Sequence, residues 1–423
     1  MTSRTYHDPL HGAIRLDRSL PAEALVMDLI ETVPFQRLRR IRQLGPAFLT
    51  FHGAESSRFT HSLGVLHVAR RALAGLRRQQ PELDRHQGVL YAAALLHDVG
   101  HAPLSHSGED MFGLRHEPWS ARLVREHPAL HGRLEQFEPG TAAAVADLLE
   151  HGRHGCRAVA ALVSSQLDCD RLDYLLRDSY STGTCYGQLD LERILAALTI
   201  APDGSLALHP KGLMAVEHYL VVRDLMYRSV YNHRLNVVCN WLLNQAIATA
   251  RALGPERVFA DAVMARWLWQ PASIDIATFL VNDDVRTGYH LLRWREEAPD
   301  ALATFSRRLL ERQLLKAIDV TRLAQGQQLQ LLARAQRLSS KVGLDPSLCC
   351  ALHQRQSQGY HPYKGGLRLW DGETLRALEA SSPLVASLTQ PVALAWLIHP
   401  TEISLALQQA ERTLRTDARE TAD

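Results

Sequence analysis

The sequence predicts a mostly α-helical protein with a few short strands and a helical C-terminal lobe, and three observations carry that expectation. Apolar residues recur every three or four positions along most of the chain, alternating runs are few, and aliphatic residues and alanine dominate over aromatics, which make up 6%. At 423 residues the chain exceeds what one hydrophobic core usually serves, so two packed parts, or one domain with a large extension, are expected.

Taken in order, Ala13–Leu16 reads as a short strand, and helical spacing follows at Ala22–Ile30, Phe35–Leu44, Leu63–Leu76, Leu90–His97, Ala142–Leu149 and Ala158–Ser165. The turn signal Pro202-Asp203-Gly204 separates two strand candidates, Leu195–Ile200 and Leu206–Leu208. Met214–Tyr231 and Leu235–Ala250 read as two long helices. Beyond them lies a string of amphipathic helices broken near Pro271 and Tyr360–Gly366, then the polar stretch Glu411–Asp423, expected as a frayed helix or a disordered tail. The expected division is residues 1–253, 254–410 and 411–423.

Composition narrows the function classes. A formal net charge of +2 argues against a polyanion as main partner and gives no support to single-stranded nucleic acid binding. The N-terminal stretch MTSRTYHDPLHG lacks an apolar h-region, and no apolar run reaches the ~18 residues that span a bilayer, so a cytoplasmic protein without membrane contact is expected. None of the six cysteines is spaced as a zinc knuckle or redox pair, which leaves structural thiols as the expectation. Histidine stands out, with 21 residues, many of them in the first third. Single ones such as His67, His86 and His154 need no role beyond solvation or a hydrogen bond.

The chemistry concentrates around Leu95-Leu96-His97-Asp98-Val99-Gly100-His101. Here an imidazole and a carboxylate sit side by side at the end of an apolar helix, with Gly100 turning the chain. Adjacent helical side chains diverge, so His97 and Asp98 can share one cation only at a helix edge, with ligands from other helices completing the shell. His61 is the upstream candidate and Asp170 the downstream one, with Asp168 and Asp173 as its rivals on the same charged helix. His97, His101 and His106 crowd within ten residues, a density that a structural core has no reason to carry.

The ordered blocks RFTHSLG, LLHDVGHAPLSH and LDCDRLDYLLRDS resemble the HD-domain superfamily, and within it the deoxynucleoside triphosphate triphosphohydrolases that include bacterial dGTPase-like proteins and the sterile-alpha-motif/HD-domain enzyme of animals. YHDPLHGAIRL and PFQRLRRIRQLG before them, and Tyr227-Arg228-Ser229-Val230-Tyr231-Asn232-His233-Arg234 after them, extend the resemblance over about the first 240 residues. It implies an HD-type catalytic domain with a divalent metal (manganese, iron, magnesium, zinc or nickel) held by His61, His97, Asp98 and Asp170, which settles the choice of Asp170 over its rivals. It implies phosphate contacts from Arg58, His101, His116, Arg171, Tyr174 and Arg223, with Arg171 standing where lysine is common. A sugar wall of Gln43, Leu44 and Tyr231 follows from the same match, as does Asp178 as the acceptor from the 3′-hydroxyl. His106 is the expected proton donor to the 5′ oxygen, with Glu109, one helical turn on, orienting its ring, and the attacking water lies beside Asp98 or Asp170. Relatives of this kind form dimers, tetramers or hexamers and bind an activating nucleotide. Glu31, Gln36 and Arg39 fall in the matching segment, Glu31 replacing an aspartate.

The expected activity is hydrolysis of a deoxynucleoside triphosphate to deoxynucleoside and inorganic triphosphate. A nucleotide monophosphatase or phosphodiesterase of the same superfamily is the first alternative, and a nucleotide sensor or nucleic-acid-binding module the second. An intact four-ligand set disfavours a pure sensor.

Overall fold

The computed structural model describes residues 3–362 and 365–420. It is mostly α-helical with nine short strands among the described residues. By internal contacts the chain forms two compact units. The first comprises the chain up to Met226 together with Pro271–Thr287 and Gly359–Gln390; the second comprises Tyr227–Gln270, Gly288–Gln358 and the chain from Pro391 onward. Segments of the expected 254–410 lobe therefore belong to both units.

The first unit carries the helices α1 Pro21–Ile30, α2 Val33–Arg37, α3 Arg58–Leu76, α4 Gln87–Leu96, α5 His106–Phe112, α6 His116–Glu126, α7 Pro128–Phe137, α8 Thr141–His151, α9 Arg157–Val163, α10 Cys169–Thr182, α11 Leu191–Ala197 and α12 Leu213–Met226. The strands in chain order are β1 Ser3–Asp8, β2 Gly12–Asp17, β3 Leu198–Ile200, β4 Leu206–Leu208, β5 Lys316–Asp319, β6 Ala351–Ser357, β7 Arg368–Trp370, β8 Leu375–Ala377 and β9 Val392–His399.

The centre of the first unit is α4. It is apolar all round, and eight of its ten residues are buried, as expected of a helix with no polar face. It packs on α1, α3, α8 and α9, while α3 packs on α10 as well. Three helices that each carry a candidate ligand are thereby brought side by side. The antiparallel hairpin β1–β2 alternates as a half-buried ribbon should: Ile14 and Leu16 face inward while their neighbours are exposed.

Several expectations need correction. Phe35–Leu44 is not one helix: α2 gives way to a tighter 3₁₀ turn at Leu38–Arg40, and Ile41 is extended. The backbone here bonds across to the start of α3 instead of to itself, with Gln43 N–H donating to Ser56 O (2.8 Å) and Arg58 N–H to Ile41 O (2.9 Å). Leu195–Ile200 is half helix, because Asp190 caps α11 by accepting from Arg193 N–H (3.0 Å) and β3 starts only at Leu198.

The C-terminal half is not purely helical. In the second unit β5, β9 and β6 form an antiparallel sheet with β9 in the middle, and in the first unit β7 and β8 continue the β3–β4 hairpin. β9 carries no clear alternation in the sequence because its final three residues are all buried, erasing the period of two. The polar stretch from Glu411 is helical as part of Ser404–Glu420; residues 421–423 lie outside the described residues. Among the described residues no helix is long and apolar enough to cross a membrane.

Candidate metal centre

Three helices deliver the candidate ligands. His61 stands in the first turn of α3, His97 is the residue on which α4 ends, with Asp98 following it, and Asp170 sits in the first turn of α10. The Nε2 atoms of His61 and His97 are 3.2 Å apart. Asp170 Oδ1 lies 3.0 Å from His61 Nε2 and 3.7 Å from His97 Nε2, while Asp98 approaches His97 Nε2 to 3.3 Å through Oδ1 and His61 Nε2 to 3.6 Å through Oδ2.

These separations suit a single cation: two ligands about 2.1 Å from one ion and about 90–110° apart lie about 3.0–3.5 Å from each other. The tautomers agree with that reading. His61 Nδ1 is 2.8 Å from Asp173 Oδ2, and His97 Nδ1 is 2.9 Å from the carbonyl of Ala94. With its Nδ1 proton committed outward, each ring can present its Nε2 lone pair to a shared cation, the arrangement of metal-bound imidazoles. Two imidazole nitrogens and two carboxylates at this spacing favour a positive charge between them.

The electrostatics point the same way. Burial opposes a charged His61, yet the bonds to Asp170 and Asp173 outweigh it and push the imidazole up to about 10. Burial likewise works against ionised Asp98 and Asp170, but Arg58 beside the first, and His61 and His97 beside the second, hold both below the usual carboxylate range. Asp98 is shared: its Oδ2 accepts from Arg58 NH1 (2.5 Å), which leaves Oδ1 facing His97 and His101.

Asp173 did not stand out in the sequence except as a rival to Asp170. The structure places it behind His61, fully buried, accepting from Arg177 Nε (2.7 Å) and 2.6 Å from His11 Nε2. Arg177 NH1 in turn donates to Asp8 (2.8 Å), which also accepts from the backbone N–H groups of Leu10 and His11. The YHDPLHG block thus has a physical purpose, since its turn clamps the network that orients His61. Gly64 belongs to the same network, because a Cβ there would lie 1.9 Å from Asp173 Oδ1. Gly100, expected as a turn residue, has no left-handed backbone and serves a close approach instead: a Cβ there would lie 2.3 Å from Ser120 N and His116 O.

Beside these candidate ligands lies a second polar cluster. His101, His106, Glu109 and His116 offer atoms all within 4.8 Å of one another, a spacing that another cation could also satisfy. His101 and His116 stack at 4.0 Å between ring centroids. Glu109 Oε2 is 3.2 Å from His106 Nδ1, and Oε1 accepts from the His116 backbone N–H (3.0 Å) and contacts His116 Nδ1. Despite partial burial, these bonds to His106 and His116 hold the Glu109 carboxyl well below the carboxylate range. Burial, with Arg58 and His116 nearby, keeps His101 neutral. His106 is the exposed member, at 68% of its side chain.

The loop joining the two clusters is strained. Leu104 and Ser105 both have φ near +60°, a region that costs a non-glycine residue roughly 1–3 kcal/mol. Three side-chain bonds hold it: Leu104 N–H donates to Asp284 Oδ1 (2.7 Å), Arg58 Nε donates to Ser105 Oγ (2.8 Å), and the Ser105 hydroxyl donates to Arg42 O (2.5 Å). Asp284 also accepts from the backbone N–H of Arg42 (2.9 Å), so one distant carboxylate braces the loop and the approach to Gln43 together.

The remaining expected residues are placed as follows. Arg58, 3% exposed, sits behind Asp98 and is not open to solvent. Arg171 pairs with Asp168 and donates to Ser165 O (2.7 Å), and Arg223 NH1 donates to Gln166 Oε1 (2.5 Å). Asp178 is buried and Tyr174 half-buried on α10, Gln43 is buried and Leu44 half-buried ahead of α3, and Tyr231 lies in the second unit with its ring 5.1 Å from that of Tyr227. Glu31 pairs with Arg4, while Arg39 Nε donates to Gln36 Oε1 (2.9 Å) and stacks its guanidinium on Phe59.

An α-helical core that gathers histidines and carboxylates from three helices into one cation-sized space is that of a metal-dependent phosphohydrolase. The HD domain matches residues 58–178 and the HD associated region residues 189–398, and the chain belongs to the HD-domain superfamily. The uncharacterized protein YwfO of Bacillus subtilis is 33% identical over 86% of this chain and 82% of its own length. The deoxynucleoside triphosphate triphosphohydrolase SAMHD1 homolog of Dictyostelium discoideum is 28% identical over 59% of this chain, which spans 50% of that relative. Among solved structures, a phosphohydrolase from Bacteroides thetaiotaomicron superposes with a TM-score of 0.82 at 25% identity, covering 94% of this chain and 99% of that one.

Proposed function

We propose that the chain hydrolyses deoxynucleoside triphosphates to deoxynucleoside and inorganic triphosphate, with His61, His97, Asp98 and Asp170 as the ligands of one divalent cation. The observation that carries the hydrolytic part is the pair of inward-facing Nε2 atoms, each fixed from behind. The nucleotide part is supported by the SAMHD1 relatives, whose name states that activity. When bound, the cation supplies a Lewis acid for a phosphoryl oxygen and a nucleophile from water near neutral pH.

The chain's own residues do the rest. Glu109 holds His106 at Nδ1, so Nε2 is the atom that carries a proton to the leaving 5′ oxygen. Neutral His101, stacked on His116, offers a donor to phosphate without a competing charge. Arg171 and Arg223 neutralise the remaining phosphates while Tyr174 donates a hydrogen bond to them, Gln43 and Leu44 crowd the sugar's 2′ position, and Asp178 accepts from its 3′-hydroxyl. Glu31, Gln36 and Arg39 are the corresponding proposal for an activating nucleotide in a homo-oligomer.

Purified protein incubated with each dNTP and manganese, then resolved for phosphate products, tests the reading. Triphosphate is the expected product. Orthophosphate alone, or hydrolysis confined to monophosphates or cyclic diesters, overturns the triphosphohydrolase reading and favours a monophosphatase or phosphodiesterase. Binding of nucleotide without turnover favours a sensor.

A further inference from the structure

A cavity of about 410 Å³ opens in the first unit away from the histidine clusters, walled by the end of α8, by α9, by the loop from Ser164 to Leu167, by β3 and β4, and by the start of β7. Its volume lies within the range of small-molecule sites. Its wall is sorted by chemistry. Arg153, Arg157 and Arg368 bring positive charge to one side, beside His154, the small residues Ala160 and Ala161 and the leucines of β3 and β4 form an apolar side, and the loop contributes serine hydroxyls. Asp203 ties the cationic side together from outside the wall, accepting from Arg368 NH1 (3.2 Å) and lying 3.8 Å from Arg157. Arg153 and Arg157 are exposed, so three guanidinium groups border an open volume, and two of them, those of Arg157 and Arg368, meet one carboxylate.

The loop that forms one wall also enters the catalytic machinery from behind. Ser165 N–H donates to Asp168 Oδ2 (3.1 Å), its carbonyl accepts from Arg171, and Gln166 accepts from Tyr219 and Arg223. Two residues past Asp168 stands the metal ligand Asp170. An occupant pressing on Ser164–Gln166 therefore acts on residues that hold Arg171, Arg223 and the start of α10.

We propose that this cavity is a second ligand site, distinct from the metal centre, that takes a small phosphate-bearing molecule, with Arg153, Arg157 and Arg368 contacting the phosphate and the apolar side receiving the remainder. Its occupancy alters turnover through the Ser164–Asp168 loop; this second statement rests on the hydrolase reading, whereas the binding statement does not.

Calorimetric titration of the full chain with inorganic pyrophosphate and with adenosine monophosphate separates the sources, bare phosphate or a phosphate with an organic body. The expected result is binding of at least one probe that weakens tenfold or more in the Arg153→Ala/Arg157→Ala double variant, is lost in Ala161→Trp, which fills the cavity from its apolar side, and persists in His97→Ala. Affinity unchanged in both cavity variants, or lost in His97→Ala and kept in the cavity variants, overturns the site. Circular dichroism melting checks each variant's fold, and Arg368→Gln serves as the substitute should the double variant not fold. For the coupling, the hydrolysis rate at saturating probe shifts in the native chain and not in Ala161→Trp; equal shifts in both overturn the coupling while leaving the binding result to stand or fall on its own.

Discussion

At the scale of single residues, Asp173 holds His61 from behind, so metal binding at His61 is expected to depend on a residue that does not touch the metal. It fixes the tautomer of His61, and loss of such a partner typically costs about 10–100-fold in metal affinity. Asp173→Asn is expected to weaken manganese binding by about that factor, read by competition against a chromogenic chelator, while manganese affinity equal to that of the native chain would show that Asp173 only packs. His106→Ala is expected to lower the turnover number by about 10²–10⁴-fold with metal content unchanged, since a positioned proton donor contributes about that much. His67 makes a separate prediction. Burial, with His11 nearby, lowers its value to about 4, so the folded chain keeps it neutral where the unfolded chain takes up a proton. Stability is then lost as the pH falls from about 6.5 toward 4. The drop in Tm over that interval should be smaller in His67→Gln, as measured by calorimetry.

At the scale of elements, the geometry depends on helices that approach too closely for a side chain. Gly64→Ala would force α3 and α10 apart at Asp173, so a destabilisation of about 1–3 kcal/mol is expected, together with weaker metal binding, checked by urea midpoint and metal content. The strained Leu104–Ser105 turn offers a second test. Asp284→Ala leaves the buried backbone donor of Leu104 and the part-buried one of Arg42 without their acceptor, at roughly 1–3 kcal/mol for the buried one and less for the other. The same urea measurement should show that loss, and turnover should fall further than stability alone explains because His101 and His106 flank the released turn. The helical elements were largely legible in the sequence. Those that were not, such as the broken stretch after Phe35, form where the backbone finds partners far along the chain, which no local period records.

At the scale of the whole molecule, binding of a cation to the folded chain alone should raise its stability by about 2.7 kcal/mol when the free metal is a hundredfold above its dissociation constant. Removing metal with a chelator should therefore lower Tm and abolish hydrolysis together, and readdition should restore both. The second unit has a helix and sheet organisation of its own, which amphipathic spacing showed only in part because β9 is buried on both faces toward its end.

By itself the sequence determined the helical class, the positions of most helices of the first unit and the identity of the histidine and carboxylate candidates, because apolar period and residue type are local properties. Only the tertiary structure decided what those residues do for one another. It turned Arg58 toward Asp98, set Asp173 behind His61 in place of a ligand role, gave His11 and Asp8 their purpose and made Asp284 a brace for residues 180 and 242 positions away. Each of these is a meeting of groups from different helices, and which groups meet is set by packing, not by spacing along the chain.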